Sequence, residues 1–219
     1  MKKKFILSTI LLLMVVAGGG IGYYYWYQGT HYVTTEDARV AGDTYRVMPR
    51  ISGKITSLDL ADGQSVIADQ IVGQQDTTNI AGNMLDNATL RAPITGTVLK
   101  VTAKSGEVVA PGQSVATIVD MNKLYVSANI EETDLGRIHV GQLVEFTLDS
   151  FKGQTFRGQV FELGTATAST FSLLPATSTS GNFTKVTQRI PIKISINDKQ
   201  NSRILPGMSA VIKIHLKGN

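Results

Sequence analysis

Three hydrophobic rhythms follow one another along this chain. The first is continuous: no charged residue interrupts Phe5 to Tyr27. At about 1.5 Å per residue, a helix over that run is roughly 34 Å long, enough for a hydrocarbon layer of about 30 Å. The second rhythm is a phrase written twice. Ile51–Gly73 reads "ISGKITSLDLADGQSVIADQIVG" and Ile94–Ala116 reads "ITGTVLKVTAKSGEVVAPGQSVA". At a constant offset of 43 residues, Gly53 falls on Gly96, Gly63 on Gly106, Val66 on Val109, Gln70 on Gln113 and Val72 on Val115. "ADG" (Ala61–Gly63), "KSG" (Lys104–Gly106) and Pro111–Gly112 predict tight turns between short strands, with glycine where φ must be positive. One such unit cannot cover an apolar face alone. Two packed face to face make a small two-fold sandwich.

The third rhythm is the two-residue alternation of the C-terminal half. In "KLYVSANI", Leu124, Val126, Ala128 and Ile130 share a face. "EETDLGRI" predicts a short helix, and "VGQLVEFTLD" returns to strand with Val144, Phe146 and Leu148 alternating. "GQTFRGQVFEL", Gly153–Leu163, predicts a strand bent at Gly158. Ile190, Ile192, Ile194 and Ile196 alternate around Pro191, which cannot donate to a ladder; either its position faces away or the strand is an edge. "LPGMSAVIKIHL" follows a turn at Pro206–Gly207. Five or so strands with one short helix predict a small closed barrel. Residues 164–185 interrupt this pattern with a loop dense in Ser and Thr. Its apolar residues either fold back on the barrel or form a docking surface. The candidate docking residues are Phe171, Leu173, Leu174, Pro175, Asn182 and Phe183, with Arg189 beside them. Arg189 pairs either with an acid of the barrel or with a partner.

Composition changes the picture in three places. A hydrophobic content of 42% with 17% charged residues describes a folded chain. The pI near 9.2 suggests a basic protein. However, without Lys2, Lys3 and Lys4 the 21 basic residues become 18 against 17 acidic ones, leaving no clustered positive surface for nucleic acid. The lysines instead orient the apolar run. Positive flanks stay cytoplasmic, and Tyr23–Tyr27 ("YYYWY") suits the opposite interface. The expectation is a single-pass anchor in the cytoplasmic membrane, with its N-terminus inside and everything after Gln28 outside. A cleaved signal peptide shares the charged start, but aromatic residues occupy the place of a small-residue cleavage site. Gly18 and Gly22 form a GxxxG, which marks either a helix-packing face or simple tolerance of glycine in a membrane helix. Cysteine is absent, which excludes disulfides, thiolate metal sites and a cysteine nucleophile.

No catalytic constellation emerges. His31, His139 and His215 are scattered, with no HExxH spacing. "GQSVI" and "GQSVA" lack the second glycine of a nucleophile elbow. "SGKIT" lacks the upstream glycine of a phosphate loop. Glu131, Glu132 and Asp134 read as acids opening a short helix. No metal or cofactor is expected.

The paired phrases, with Arg91-Ala92-Pro93 leading into the second, resemble the split biotinyl/lipoyl-like domain of the HlyD family. That family comprises the membrane fusion, or adaptor, subunits of bacterial transport complexes. Thr34–Ile55 and Thr167–Ile194 are similar to its EmrA-type multidrug adaptors. The resemblance implies a mainly β chain: start and transmembrane anchor over 1–28 and a linker over 29–44. A biotinyl/lipoyl-like sandwich would span 45–120, in halves 45–76 and 90–120, and a β-barrel domain 121–219. It implies an adaptor for a polytopic inner-membrane transporter, of the major facilitator type rather than an ABC type, with self-association between copies. One departure stands out. Family members usually insert a long helical hairpin between the halves, and here the connection is only 77–89, too short for two helices. That keeps open an anchored envelope-binding or regulatory module with no transporter. The same sandwich carries biotin or lipoate on a lysine in some enzymes, but Gly73–Leu90 contains no lysine.

Overall fold

The computed structural model describes residues 2–78, 82–167, 187–197 and 202–216. Two compact units emerge. One is Ala41–Tyr125; the other joins Met1–Val40 to Val126–Asn219.

The inner unit, Ala41–Tyr125, is the repeated phrase made solid. The first copy supplies β2 (Thr44–Val47), β3 (Gly53–Leu58), β4 (Ser65–Val66) and β5 (Ile71–Gln75). A 3-10 segment, Gly82–Ala88, leads to the second copy. That copy supplies β6 (Thr89–Arg91), β7 (Gly96–Val101), β8 (Val108–Val109) and β9 (Ala116–Val119). The copies do not form one sheet each. One sheet runs β2-β9-β7-β4 and the other β6-β5-β3-β8. Each sheet takes its two central strands from one copy and its flanks from the other, so neither half has a complete sheet alone. Between the sheets, Val47, Ile55, Val66 and Val72 meet Leu90, Val98, Val109 and Val115, their counterparts in the second copy, and all are buried. Each such aliphatic side chain taken from water contributes roughly 1.5–3 kcal/mol.

The turns repeat as faithfully as the strands. At Ala61–Gln64, Lys104–Glu107 and Ala110–Gln113, the last N–H donates to the first C=O at 3.1 Å. The last side chain in turn accepts from the first N–H, at 2.8, 3.1 and 3.4 Å. Gly63, Gly106 and Gly112 hold positive φ at the third position, as a type II turn demands. Ile67–Gln70 makes the same turn with Asp69 at φ 63 where its counterpart is glycine, so the repeat survives the substitution.

The outer unit is a closed barrel ordered β1-β10-β13-β12-β11-β14. Its strands are β1 (Tyr32–Ala41), β10 (Tyr125–Glu131), β11 (Leu143–Leu148), β12 (Thr155–Leu163), β13 (Arg189–Ser195) and β14 (Ser209–His215). Phe146 and Phe156 stack at its centre, 5.5 Å between ring centroids. The short helix falls where expected, as α2 (Glu132–Leu135). One expectation changes. Residues 29–44, expected as a linker into the first strand, are not a linker. Helix α1 (Lys2–His31) passes without a gap into β1, and β1 closes the barrel against β14. The strand hides in the sequence because a bulge between Thr35 and Ala38 shifts its parity: Val33 is buried on one side of it, Ala38 and Val40 on the other. Of the two alternatives left open by Pro191, the edge strand is excluded, since β13 lies between β10 and β12. Pro191 is tolerated because its missing donor falls beside Gly164, one residue past the end of β12.

Among the described residues, no helix is long and apolar enough to cross a membrane. Over the part of α1 whose side chains are described, Gly18–Gly20 and Tyr23–Gln28 dilute the aliphatic run.

Candidate functional site

The barrel has two ends, and one of them gathers the features with interaction chemistry. Tyr32 at the start of β1 pairs with His215 at the end of β14, and Val144 near the start of β11 pairs with Ile214. Leu163 at the end of β12 pairs with Ile192 near the start of β13. Glu132, opening α2, bonds to Gln188, just before β13. The end of α1, α2, the turn before β11 and both stems of loop 164–185 therefore share one rim.

Arg137 fixes the helix to this rim. The last carbonyls of a helix lack intrahelical donors and carry the negative end of its dipole. The Arg137 guanidinium donates to the carbonyls of Gly29 at 2.6 Å and Thr30 at 3.0 Å, and to the Asp134 carboxylate at 3.1 Å. The next carbonyl, of His31, accepts from the Leu216 N–H at 2.9 Å. The His31 ring stacks on Tyr27 with centroids 4.0 Å apart, and Tyr32 meets the His215 ring edge-on at 5.0 Å. Lys213 lies over the Tyr32 ring at 3.8 Å.

On the outside of the same rim, Val140 is 62% and Leu143 58% exposed. Val140 sits at the tip of His139–Gln142, a turn held by Gly141 at positive φ and by the buried Gln142 amide, which donates to the Arg137 carbonyl at 3.0 Å. One step farther from the helix the surface becomes charged. Glu145 lies 3.9 Å from Arg157 and 3.5 Å from His215.

The residues singled out in the sequence fare differently. Arg189 pairs within its own barrel, donating to Asp37 at 2.6 Å from β13 to the bulge of β1. Phe171, Leu173, Leu174, Pro175, Asn182 and Phe183 lie outside the described residues. Gly18 and Gly22 have nothing within 4 Å of where a Cβ would stand, so that helix face is open. Sequence reasoning missed Arg137, whose role depends on the remote end of α1 and leaves no local signal.

The inner unit carries one buried anomaly. Gln75 is only 2% exposed at the position where the second copy has Ile118. Its amide donates to the carbonyls of Ile51 and Gly53 at 3.1 and 3.3 Å, while its Oε1 has no partner. Beside it begins the short connection. There the Thr78 hydroxyl and backbone N–H both bond to Asp76 and hold its carboxyl below the ordinary range, with Lys54 adding a smaller push the same way. Among the described residues, no group of acids and histidines is placed to hold a metal ion.

Comparison with known proteins accounts for both units. Residues 43–121 match the barrel-sandwich hybrid domain of RND-type membrane fusion proteins, and 124–214 match the YknX-like β-barrel domain. YhbJ of Bacillus subtilis, named as an efflux system component, is 41% identical over 187 residues, 85% of this chain and 81% of its own. The colistin resistance protein EmrA of Acinetobacter baumannii is 33% identical over 159 residues, 72% of this chain but only 43% of its own. Among solved structures, the membrane fusion protein Spr0693 of Streptococcus pneumoniae shares the fold at 13% identity, with a TM-score of 0.63 over 85% of this chain and 99% of that one. With both units matched in order and a relative aligned over most of both lengths, the chain belongs to the membrane fusion protein family, the non-enzymatic adaptors of efflux systems.

Proposed function

We propose that this protein is the membrane-anchored adaptor of a multidrug efflux or export complex, partnered with a polytopic transporter of the major facilitator type. The observation that carries the reading is the unbroken passage from α1 into β1, locked by Arg137. An anchor joined directly to a barrel holds that barrel at a fixed height and angle beside a membrane partner. The anchor crosses the membrane once, with Lys2–Lys4 inside and the two β units outside. It chemically transforms nothing; its work is assembly, and copies of the chain associate around the transporter. The similarity to EmrA-type proteins supports an inner-membrane transporter as partner.

The short connection gives this adaptor a narrower reach than a hairpin-bearing relative. Among the described residues of the connection, a 3-10 segment, Gly82–Ala88, stands between the halves, and 77–89 is too short for the two-helix hairpin by which relatives reach outward. The same feature favours a second reading, an envelope-binding module with no transporter. Chemical cross-linking of the full-length tagged chain in its own membranes, followed by mild-detergent pull-down and mass spectrometry, separates the two. Enrichment of one polytopic transporter is expected. Recovery of self-cross-links and cell-wall components alone overturns the adaptor reading.

A further inference from the structure

We propose that the turn between α2 and β11 is a lipid-contacting tip, and that Val140 and Leu143 enter the headgroup region of the bilayer beside the anchor. The inference rests on the reading of α1 as a membrane anchor and adds a second, peripheral contact to it. Three observations support it.

The first is distance. No residue separates His31, the end of α1, from Tyr32, the start of β1. From Tyr27 to His31 the helix rises only about 6 Å. If the aromatic cluster Tyr23–Tyr27 marks the interface, the rim of the barrel stands at headgroup depth with no linker to lift it away.

The second is fixation. Arg137, three residues before Val140, binds the last carbonyls of α1, so the turn flanks the helix end directly. Gln142 ties the turn back to Arg137 through its carbonyl. Val140 is thus presented on a braced turn at the helix exit.

The third is the layering of side chains. Val140 and Leu143, 62% and 58% exposed, form the outermost apolar step. Tyr32 and His215 lie level with Leu143, and Lys213, Glu145 and Arg157 form the next step away from the helix. On the β11–β14 side of the rim, Val140 stands first, Leu143 lies level with the amphipathic rings and the charges follow, the order of polarity met on leaving a bilayer, while the acids Glu132 and Asp134 of α2 share the rim on its other side. Two aliphatic side chains are too small a surface for a stable protein interface, which buries about 800 Å² per partner. They suffice to dip into lipid beside a helix that is already inserted.

The chain has no cysteine, so single cysteines report without interference. Val140→Cys, Leu143→Cys, Thr147→Cys and Val15→Cys would each carry an environment-sensitive fluorophore on the full-length chain. The chains would sit in nanodiscs of phosphatidylcholine and phosphatidylglycerol. Thr147 lies on β11 about 14 Å beyond Leu143, away from the helix. Each probe is quenched separately by shallow spin-labelled lipid and by an aqueous nickel chelate. The expected result is severalfold stronger quenching by lipid than by nickel at positions 140 and 143, the reverse at 147, and lipid quenching at 15. Lipid quenching at 15 with nickel quenching at 140 and 143 overturns the tip and leaves the anchor standing. If those two probes become protected only when the transporter is co-reconstituted, the surface is a protein contact and the proposal is equally overturned. Nickel quenching at position 15 overturns the anchor itself, and the tip with it.

Discussion

Alanine at Gly158 tests the barrel where two backbones come nearest. Gly158 lies in β12 opposite Val144, with ordinary extended geometry, so its conformation does not require glycine. Space does. A Cβ there would stand 1.9 Å from the Ser195 carbonyl oxygen and 3.0 Å from Ile194 Cγ2. Bringing the first contact even to 3.0 Å parts β12 from β13 by about 1 Å. The Asn197 N–H to Arg157 bond and the Gln159 N–H to Ser195 Oγ bond, both 3.1 Å, then stretch to about 4 Å and are lost. Two hydrogen bonds at about 1 kcal/mol each, with some desolvated groups left unpaired, give a cost of about 3 kcal/mol or more. Gly153→Ala is the matched control. Its φ is +81°, and nothing lies within 4 Å of its Cβ position. Only left-handed strain of about 1–2 kcal/mol applies, partly offset by the stiffer unfolded chain. For a unit of this size each kcal/mol moves the midpoint by about 4–8 °C. Thermal unfolding of the two full-length variants in detergent, followed by near-UV circular dichroism, should rank Gly158→Ala lower by at least several degrees. If the two variants melt together, the close approach of β12 and β13 is wrong.

Three further outcomes follow from named contacts. Arg137→Ala should loosen the end of α1 by about 1 kcal/mol, a modest figure because the side chain is 39% exposed and screened; amide hydrogen exchange over 27–32 should rise while the barrel midpoint holds, and unchanged exchange would show that the clamp is idle. Gln75→Glu places a carboxylate against the carbonyls of Ile51 and Gly53 in a buried site and should cost several kcal/mol, whereas Gln75→Leu removes the orphaned Oε1 and should cost far less; equal denaturant midpoints for the two would refute this. Asp76 titrates below the ordinary carboxylate range, so its contribution is fully present above the unfolded value and fades as pH falls through the folded one; Thr78→Val should return the Asp76 titration, followed by NMR, toward the ordinary value.

The sequence by itself determined the inner unit almost completely. Two copies of one phrase, each too small to bury its own apolar face, must pack on each other, and the turns, most with glycine third and all with Gln or Glu fourth, carry their geometry in local residues. It also determined that the C-terminal half is built of half-buried strands, because Ile190, Ile192 and Ile194 or Val144, Phe146 and Leu148 alternate without interruption. Only tertiary structure decided what depends on distant partners. The two copies exchange flanking strands, which no periodicity reveals, because an alternating strand reads the same whichever sheet it joins. Asp69 kept its turn because the ladder around it over-determines a left-handed residue. Strand β1 hides as a linker in the sequence because the bulge at Glu36 and Asp37 breaks a period of two, and only its place between β14 and β10 makes that segment a strand. The rim exists for the same reason. Tyr32, the Arg137–Val140 segment and His215 are far apart in the chain, and closing six strands into a barrel at one fixed register is what brings them to the end of a single helix.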